Sequence, residues 1–430
     1  MYYYCVMAQG KLKKFLSRLG PGFVTGAADD DPSGIATYSI AGAKFGLGLT
    51  WLSLFLLPAM ISIQEMCGRL GITTGRGLAG VIKKYSSKKV LWFAVSLLVL
   101  ANVINIGADL GIMASSLQMV FGLPFYFWLF LTAMLIVVLE IWVPYKKYSA
   151  VLKWLSLSLL VYVITAFLIR PNWGDVLEAT MIPRITWSAD YLMVLVGFLG
   201  TTISPYLFFW QASQEVEEKI SDVSSQITDF GQKSVVTLSG IKKMRLDTKL
   251  GMLFSNLMTF FIVVTTAGTL HANGIFNIES AQQAASALRP LAGDFAYLLF
   301  AFGMIGIGLQ SVPILAGSIA YAVSEALGLR EGLGKSFGRA KGFYLILAVA
   351  TMVGVLMNLW GINTMQALYY AAVVNGVVAV PLIFIIIRLA SDEKVVGKYK
   401  TQKKYLWIAW ATFGFMALSV VLMVGSALWN

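Results

Sequence analysis

Three consecutive carboxylates, Asp29, Asp30 and Asp31, stand at the centre of an otherwise apolar stretch, residues 20–37, of membrane-spanning length. An ionised Asp at the middle of a membrane helix costs about 2.5 to 3.5 kcal/mol on insertion scales, so it is retained where it faces a cavity, a partner or an ion. Pro32, Ser33 and Gly34 follow directly. Proline removes an amide donor and clashes with the preceding turn, and glycine opens backbone conformations closed to other residues. The combination predicts a helix broken mid-membrane, with free carbonyl oxygens and helix ends beside the acids, where transporters bind ions. A second interruption lies at Thr201-Thr202-Ile203-Ser204-Pro205-Tyr206, three hydroxyl residues ahead of a proline in another apolar run.

The elements that position these groups follow from composition. With 58% hydrophobic and 13% charged residues and a mean hydropathy of +0.76, the chain reads as an all-α polytopic membrane protein. Apolar runs of roughly 17 to 25 residues predict eleven spans: 22–44, 48–69, 90–119, 125–143, 150–169, 191–213, 248–270, 292–323, 343–361, 364–389 and 405–428. The two interrupted helices are the first and the sixth. Breaks five spans apart are the mark of two five-helix repeats, inverted relative to each other, that share one site. The expected organisation is a cytoplasmic segment at 1–21, a first repeat at 22–169, an outer loop at 170–190 and a second repeat at 191–389. Residues 390–430 supply a cytoplasmic loop and an appended eleventh helix.

Lysine and arginine accumulate on cytoplasmic loops. If the N-terminal segment with Lys11, Lys13, Lys14 and Arg18 is inside, an odd number of spans puts 29 of the 33 basic residues inside, leaving Lys44, Arg170, Arg184 and Arg289 outside. The expected topology therefore has a cytoplasmic N-terminus and an extracellular C-terminus in the plasma membrane. The net charge of +12 is a topology signal, and no nucleic-acid partner is expected. Cys5 and Cys67, the only cysteines, imply neither a disulfide framework nor a thiolate metal site.

Other polar residues admit two readings. Asn102, Asn105 and Asp109 share one face of the third helix and either line a path or bond helix to helix. Gln64, Gln310, Ser311 and Asn375 interrupt other spans and are helix-pairing groups or residues behind the site. Glu65 reads as an acid at the membrane interface or between helices. The stretch 215–249 reads as a solvated polar linker carrying at most a short helix. His271, the sole histidine, reads as a lone surface side chain in an outer loop.

The motifs Gly20-Pro21-Gly22-Phe23, Asp31-Pro32, Phe45-Gly46, Gln64, Leu70-Gly71-Ile72-Thr73-Thr74-Gly75 and Asp109-Leu110 resemble landmarks of the NRAMP divalent-metal transporters. The resemblance is strong over helices 1–3, runs through Gly200 to Pro205, and is looser towards helix 10. It implies the amino-acid/sodium-symporter-like 5+5 inverted-repeat fold and proton-coupled transport of manganese and iron(II). The family binds metal through an Asp-Pro-Gly-Asn motif on helix 1 and an alanine carbonyl and methionine sulfur on helix 6. Here the aspartate is Asp31, but Gly34 replaces the asparagine, Thr201 the alanine and Ser204 the methionine. Tyr206, Leu207 and Trp210 stand where the family carries His-Asn and a second histidine, and Ile112 replaces an acid. This pattern resembles the NRAMP-related magnesium transporters.

A thioether favours manganese, iron(II) and heavier ions, and replacing it by a hydroxyl removes what rejects hard cations. Mg²⁺ dehydrates reluctantly and is held by one or two carboxylates with several waters. Asp31, with hydroxyls at Thr201, Thr202 and Ser204 and amides at Gln64, Gln310 and Asn375, forms the expected site, and the lost side chains at Gly34 and Ser204 leave room for water. Asp29, Asp30, Thr202, Tyr206 and Asp109 are candidates for the permeation path. The expected function is Mg²⁺ import by alternating access, with Mn²⁺ as a further substrate, driven by the membrane potential without protons. A dication moving inward gains about 4.6 kcal/mol per 100 mV, twice the single-charge value. The partners expected are these ions and the lipid bilayer; the chain is expected to be monomeric, without a cofactor. Proton-coupled Mn²⁺/Fe²⁺ import is the alternative. An intramembrane enzyme would need a paired nucleophile and base, which the spans do not show, and a sensor would need an output module.

Overall fold

The computed structural model describes residues 20–143, 156–226 and 237–429. The regular elements among them are helical, as a hydrocarbon solvent requires of chains that must satisfy their own backbone groups. Nine helices among the described residues are long and apolar enough to cross a membrane, and they coincide with predicted spans 2–4 and 6–11. The predicted N-terminal basic segment, up to residue 19, and the start of the fifth span lie outside the described residues.

The first span is two half-helices, α1 (Pro21–Asp29) and α2 (Pro32–Phe45). Then come α3 (Trp51–Thr74), the short α4 (Leu78–Tyr85), α5 (Lys88–Phe121) and α6 (Phe125–Trp142). Of the fifth span, α7 (Leu160–Leu168) is described; it turns by 119° into α8 (Trp173–Met181), a helix inside the predicted outer loop. The sixth span is again two halves, α9 (Ala189–Thr202) and α10 (Pro205–Gln226). The remaining spans are α11 (Leu238–Thr269), α12 (Ala296–Leu327), α13 (Lys341–Met357), α14 (Thr364–Ser391) and α15 (Lys403–Trp429).

Both prolines at the breaks restart a helix. Pro32 and Pro205 are the first residues of α2 and α10, where a missing amide costs nothing and the fixed φ suits a helix. Pro58, Pro313 and Pro381 sit inside α3, α12 and α14 without ending them.

Backbone contact positions the broken helices. A Cβ at Gly26 would stand 2.1 Å from the Gly251 carbonyl carbon, so α1 lies directly on α11, and one at Gly200 would stand 2.1 Å from the Gly376 amide, so α9 lies directly on α14. Small residues permit such approach in membranes. By contrast α15 leaves Trp407, Val421 and Leu428 exposed, in keeping with an appended helix.

Two expectations require correction. Of the stretch 215–249, residues 227–236 lie outside the described residues, and the flanks are not linker with a short helix: α10 continues to Gln226 and α11 begins at Leu238, because polar helix formers extend a span into water without a hydropathy signal. His271 is half-buried rather than a free surface group. Its Nδ1 lies 2.8 Å from the Ala43 carbonyl and its ring meets Phe276 edge-on, so it ties the chain after α11 to the C-terminal end of α2.

Candidate cation site at the two helix breaks

At the first break the backbone leaves the helix at Asp30 and becomes extended at Asp31, the N-cap of α2. Asp31 Oδ1 accepts the Gly34 amide at 2.7 Å and the Ser33 hydroxyl at 2.6 Å, and Oδ2 accepts Asn105 Nδ2 at 2.9 Å. The carboxylate thus occupies the positive end of the α2 dipole, where negative charge is favoured.

Asp109 stands one turn beyond Asn105 on α5. Its Oδ2 accepts the Ser311 hydroxyl of α12 at 2.7 Å, and its Oδ1 has no partner among the described residues. The polar stripe on α5 therefore divides. Asn102 donates to the Leu315 carbonyl and Ser318 hydroxyl and joins two helices, whereas Asn105 and Asp109 belong to the site.

At the second break Ile203 and Ser204 separate α9 from α10. Thr201 Oγ1 is buried without a hydrogen-bond partner among the described residues. A Cβ at Gly34 would lie 3.0 Å from that oxygen and 3.4 Å from Asp31 Oδ1, so Thr201 and Asp31 face one small space across Gly34. The other two hydroxyls have their protons engaged. Ser204 Oγ stands 2.9 and 2.7 Å from the Gly200 and Thr201 carbonyls and spends its single proton on the open end of α9. Thr202 donates to Phe198 and meets the Tyr38 hydroxyl at 3.1 Å, joining α9 to α2. Tyr206 donates to the Ala28 carbonyl at 2.8 Å, so it ties the start of α10 to the end of α1.

The hydrogen-bond partners of Asp31 are Ser33, Gly34 and Asn105. Gln64, Gln310 and Asn375 are buried but are not among them. Asn375 keeps both side-chain polar atoms unpartnered, as Gln64 does its Oε1, among the described residues. Asp29 and Asp30 turn instead to α11: Ser255 Oγ is 2.7 Å from Asp29 Oδ2 and 3.3 Å from Asp30 Oδ1, which also receives Thr259 Oγ1 at 3.4 Å. The spacing of Ser255 and Thr259, one helical turn apart, is the signal that sequence reasoning passed over; Ser33 was legible only as a polar residue at the first break and Ser311 only as one interrupting the eighth span.

Asp29, Asp30, Asp31 and Asp109 are all fully buried, and none takes part in an ion pair among the described residues. Asp109 Oδ1, Asn105 Oδ1 and Thr201 Oγ1 have no partner among the described residues. Buried carboxylates and orphaned oxygens are costly unless a cation or a donor completes them. An oxygen-lined space of this kind suits a hard cation.

The family model for natural resistance-associated macrophage protein-like chains, Nramp, matches residues 22–426. A divalent metal cation transporter MntH of Ralstonia nicotianae is 27% identical over 427 residues, covering 97% of this chain and 92% of its own. Another of that name, from Caldanaerobacter subterraneus subsp. tengcongensis, is 28% identical over 310 residues, 71% of this chain and 70% of its own. Among solved structures, the Eremococcus coleocola manganese transporter superposes with a TM-score of 0.75 at 18% identity, covering 96% of this chain and 87% of its own. Mhp1, a nucleobase-cation-symport-1 family transporter, does so with a TM-score of 0.61 at 12% identity, covering 96% and 92%. These two likenesses speak for the fold alone, an all-α polytopic transporter architecture.

Proposed function

Because the chain belongs to the natural resistance-associated macrophage protein-like (Nramp) family, we propose that it imports a divalent cation, Mg²⁺ above all, by alternating access at the two helix breaks. It is a multi-pass membrane transporter and not an enzyme. The observation that carries the choice of ion is the set of oxygens gathered at the breaks. Asp31, Asn105, Asp109 and Thr201 offer hard ligands, and the position where the family resemblance implies a sulfur is Ser204, whose proton is bonded to the backbone. Mg²⁺ retains waters, and the unpartnered oxygens at Asn105, Asp109 and Thr201 can receive them. Mn²⁺ uses the same oxygen ligands and is a second substrate.

No histidine lies on either half of the sixth span; the single one is His271 at the C-terminal end of α2. Its absence from α9 and α10 supports transport driven by the membrane potential without protons. The reading includes two inverted five-helix repeats, residues 22–169 and 191–389, a plasma-membrane location, a cytoplasmic N-terminus, an extracellular C-terminus and a monomer.

A second reading, proton-coupled Mn²⁺ or Fe²⁺ import, is favoured by Asp109, a fully buried acid one turn from Asn105, the residue that bonds Asp31. Liposomes containing the purified protein, an internal pH dye and an imposed negative-inside potential separate the two. Mg²⁺ uptake without internal acidification is the expected result; acidifying Mn²⁺ entry with no Mg²⁺ uptake returns the second reading. In the same assay Asp31→Ala is expected to abolish uptake, and persistent flux would remove Asp31 from the site.

A further inference from the structure

Asp29 and Asp30 leave a deficit that the site at Asp31 does not absorb. Both are fully buried, and they face α11 rather than the second break. The four oxygens of the pair meet two hydroxyls, Ser255 and Thr259. A hydroxyl carries one proton, so Ser255, which lies within bonding distance of both acids, can serve only one of them. The remaining oxygens, Asp29 Oδ1 and Asp30 Oδ2, have no partner among the described residues. No ion pair there neutralises either acid.

We infer that Asp29 and Asp30, with the hydroxyls of Ser255 and Thr259, form a second site for a hard divalent cation, between α1 and α11 and next to the one at Asp31. Two buried carboxylates without a counter-charge match the charge of one dication, whereas a monovalent ion leaves one charge bare. Hydroxyl oxygens serve as neutral ligands once their protons turn away, and such ions take oxygen ligands of both kinds. The break supplies further acceptors, since the last carbonyls of α1 have no helical partner beyond Asp29; of these, Ala28 is taken by Tyr206. With Asp31 following Asp30 directly in the chain, two ions held in neighbouring sites would repel each other and ease release from either, a property of sites placed in series. The inference rests on the proposed function only for the identity of the ion offered.

The test is an anomalous difference map of the full chain crystallised with saturating Mn²⁺. Two peaks are expected, one at Asp31 and one within about 2.6 Å of carboxylate oxygens of Asp29 and Asp30. The isosteric double variant Asp29→Asn/Asp30→Asn is expected to lose the second peak and keep the first. A single peak at Asp31 in the parent overturns the inference and leaves the transport reading standing. A single peak at Asp29 and Asp30 upholds it and overturns the Asp31 assignment. If the double variant does not fold, the parent map decides alone.

Discussion

At Gly34 the absence of a side chain decides how much room the ion has. A Cβ there would stand 3.0 Å from Thr201 Oγ1 and 3.4 Å from Asp31 Oδ1, and would take the space of a water between them. Gly34→Ala is therefore expected to reduce Mg²⁺ uptake by about tenfold, ~1.4 kcal/mol, and Mn²⁺ uptake by less, because Mg²⁺ gives up its waters more reluctantly. Competition between the two ions in liposomes measures the ratio; an equal loss for both would show that hydration is not what Gly34 serves.

Among the elements, α1 depends most on its neighbours. It has nine residues, too few to persist alone, and its first amides are satisfied from another helix. Asp247 of α11 accepts Gly20 at 2.9 Å, Gly22 at 2.7 Å and Phe23 at 3.3 Å, an N-cap delivered across the bundle. Asp247→Ala is expected to cost about 1 to 2 kcal/mol, read as faster hydrogen exchange confined to the start of α1; unchanged exchange there would show that glycine packing alone holds the helix. A second tie joins α3, α11 and the segment before α15. Glu65 pairs with Arg69 and, at 3.0 Å, with Arg245, while Arg69 also donates to the Tyr399 carbonyl at 2.8 Å. Glu65 and Arg69 are buried, so Glu65→Ala leaves positive charge without a partner and is expected to cost about 3 to 5 kcal/mol. A thermal melt in detergent that matches the parent would sink this account.

For the whole molecule, polar contacts join the helices at one end of the bundle and a weaker ion pair does so at the other. Glu217 on α10 accepts the Tyr321 hydroxyl of α12 at 2.6 Å and the Gly334 amide at 3.2 Å, and Glu325 accepts the Gly80 amide at 2.8 Å. Lys44 and Asp190 pair at 3.0 Å with Asp190 largely exposed, a pair worth about 0 to 1 kcal/mol. Glu331 lies in the loop between α12 and α13, and burial, with the Glu325 carboxylate beside it, pushes its pKa from 4.5 up to about 9. The folded chain thus holds a proton that the unfolded chain releases near 4.5. This contribution to stability is present in full below that pH and is lost as pH rises to about 9. Glu331→Gln is expected to flatten the fall in melting temperature between pH 5 and 9; an unchanged slope would place its cause elsewhere.

The sequence by itself determined the span pattern, the basic asymmetry of the loops and the two breaks. Hydrocarbon imposes a length and an apolarity that any reading of the chain detects, and Asp31-Pro32 and Ser204-Pro205 put a polar residue before a helix-starting proline. It did not reveal where α10 and α11 run on past the membrane, since a polar helix in water has no hydropathy signature. Only the tertiary structure decided which hydroxyl is free, Thr201 or Ser204, and how the stripe Asn102, Asn105 and Asp109 divides. It also decided that Asp29 and Asp30 face Ser255, 226 and 225 residues away. Those choices depend on side chains brought together by glycine-lined contacts between distant helices, and spacing along one helix carries no record of what its neighbour presents.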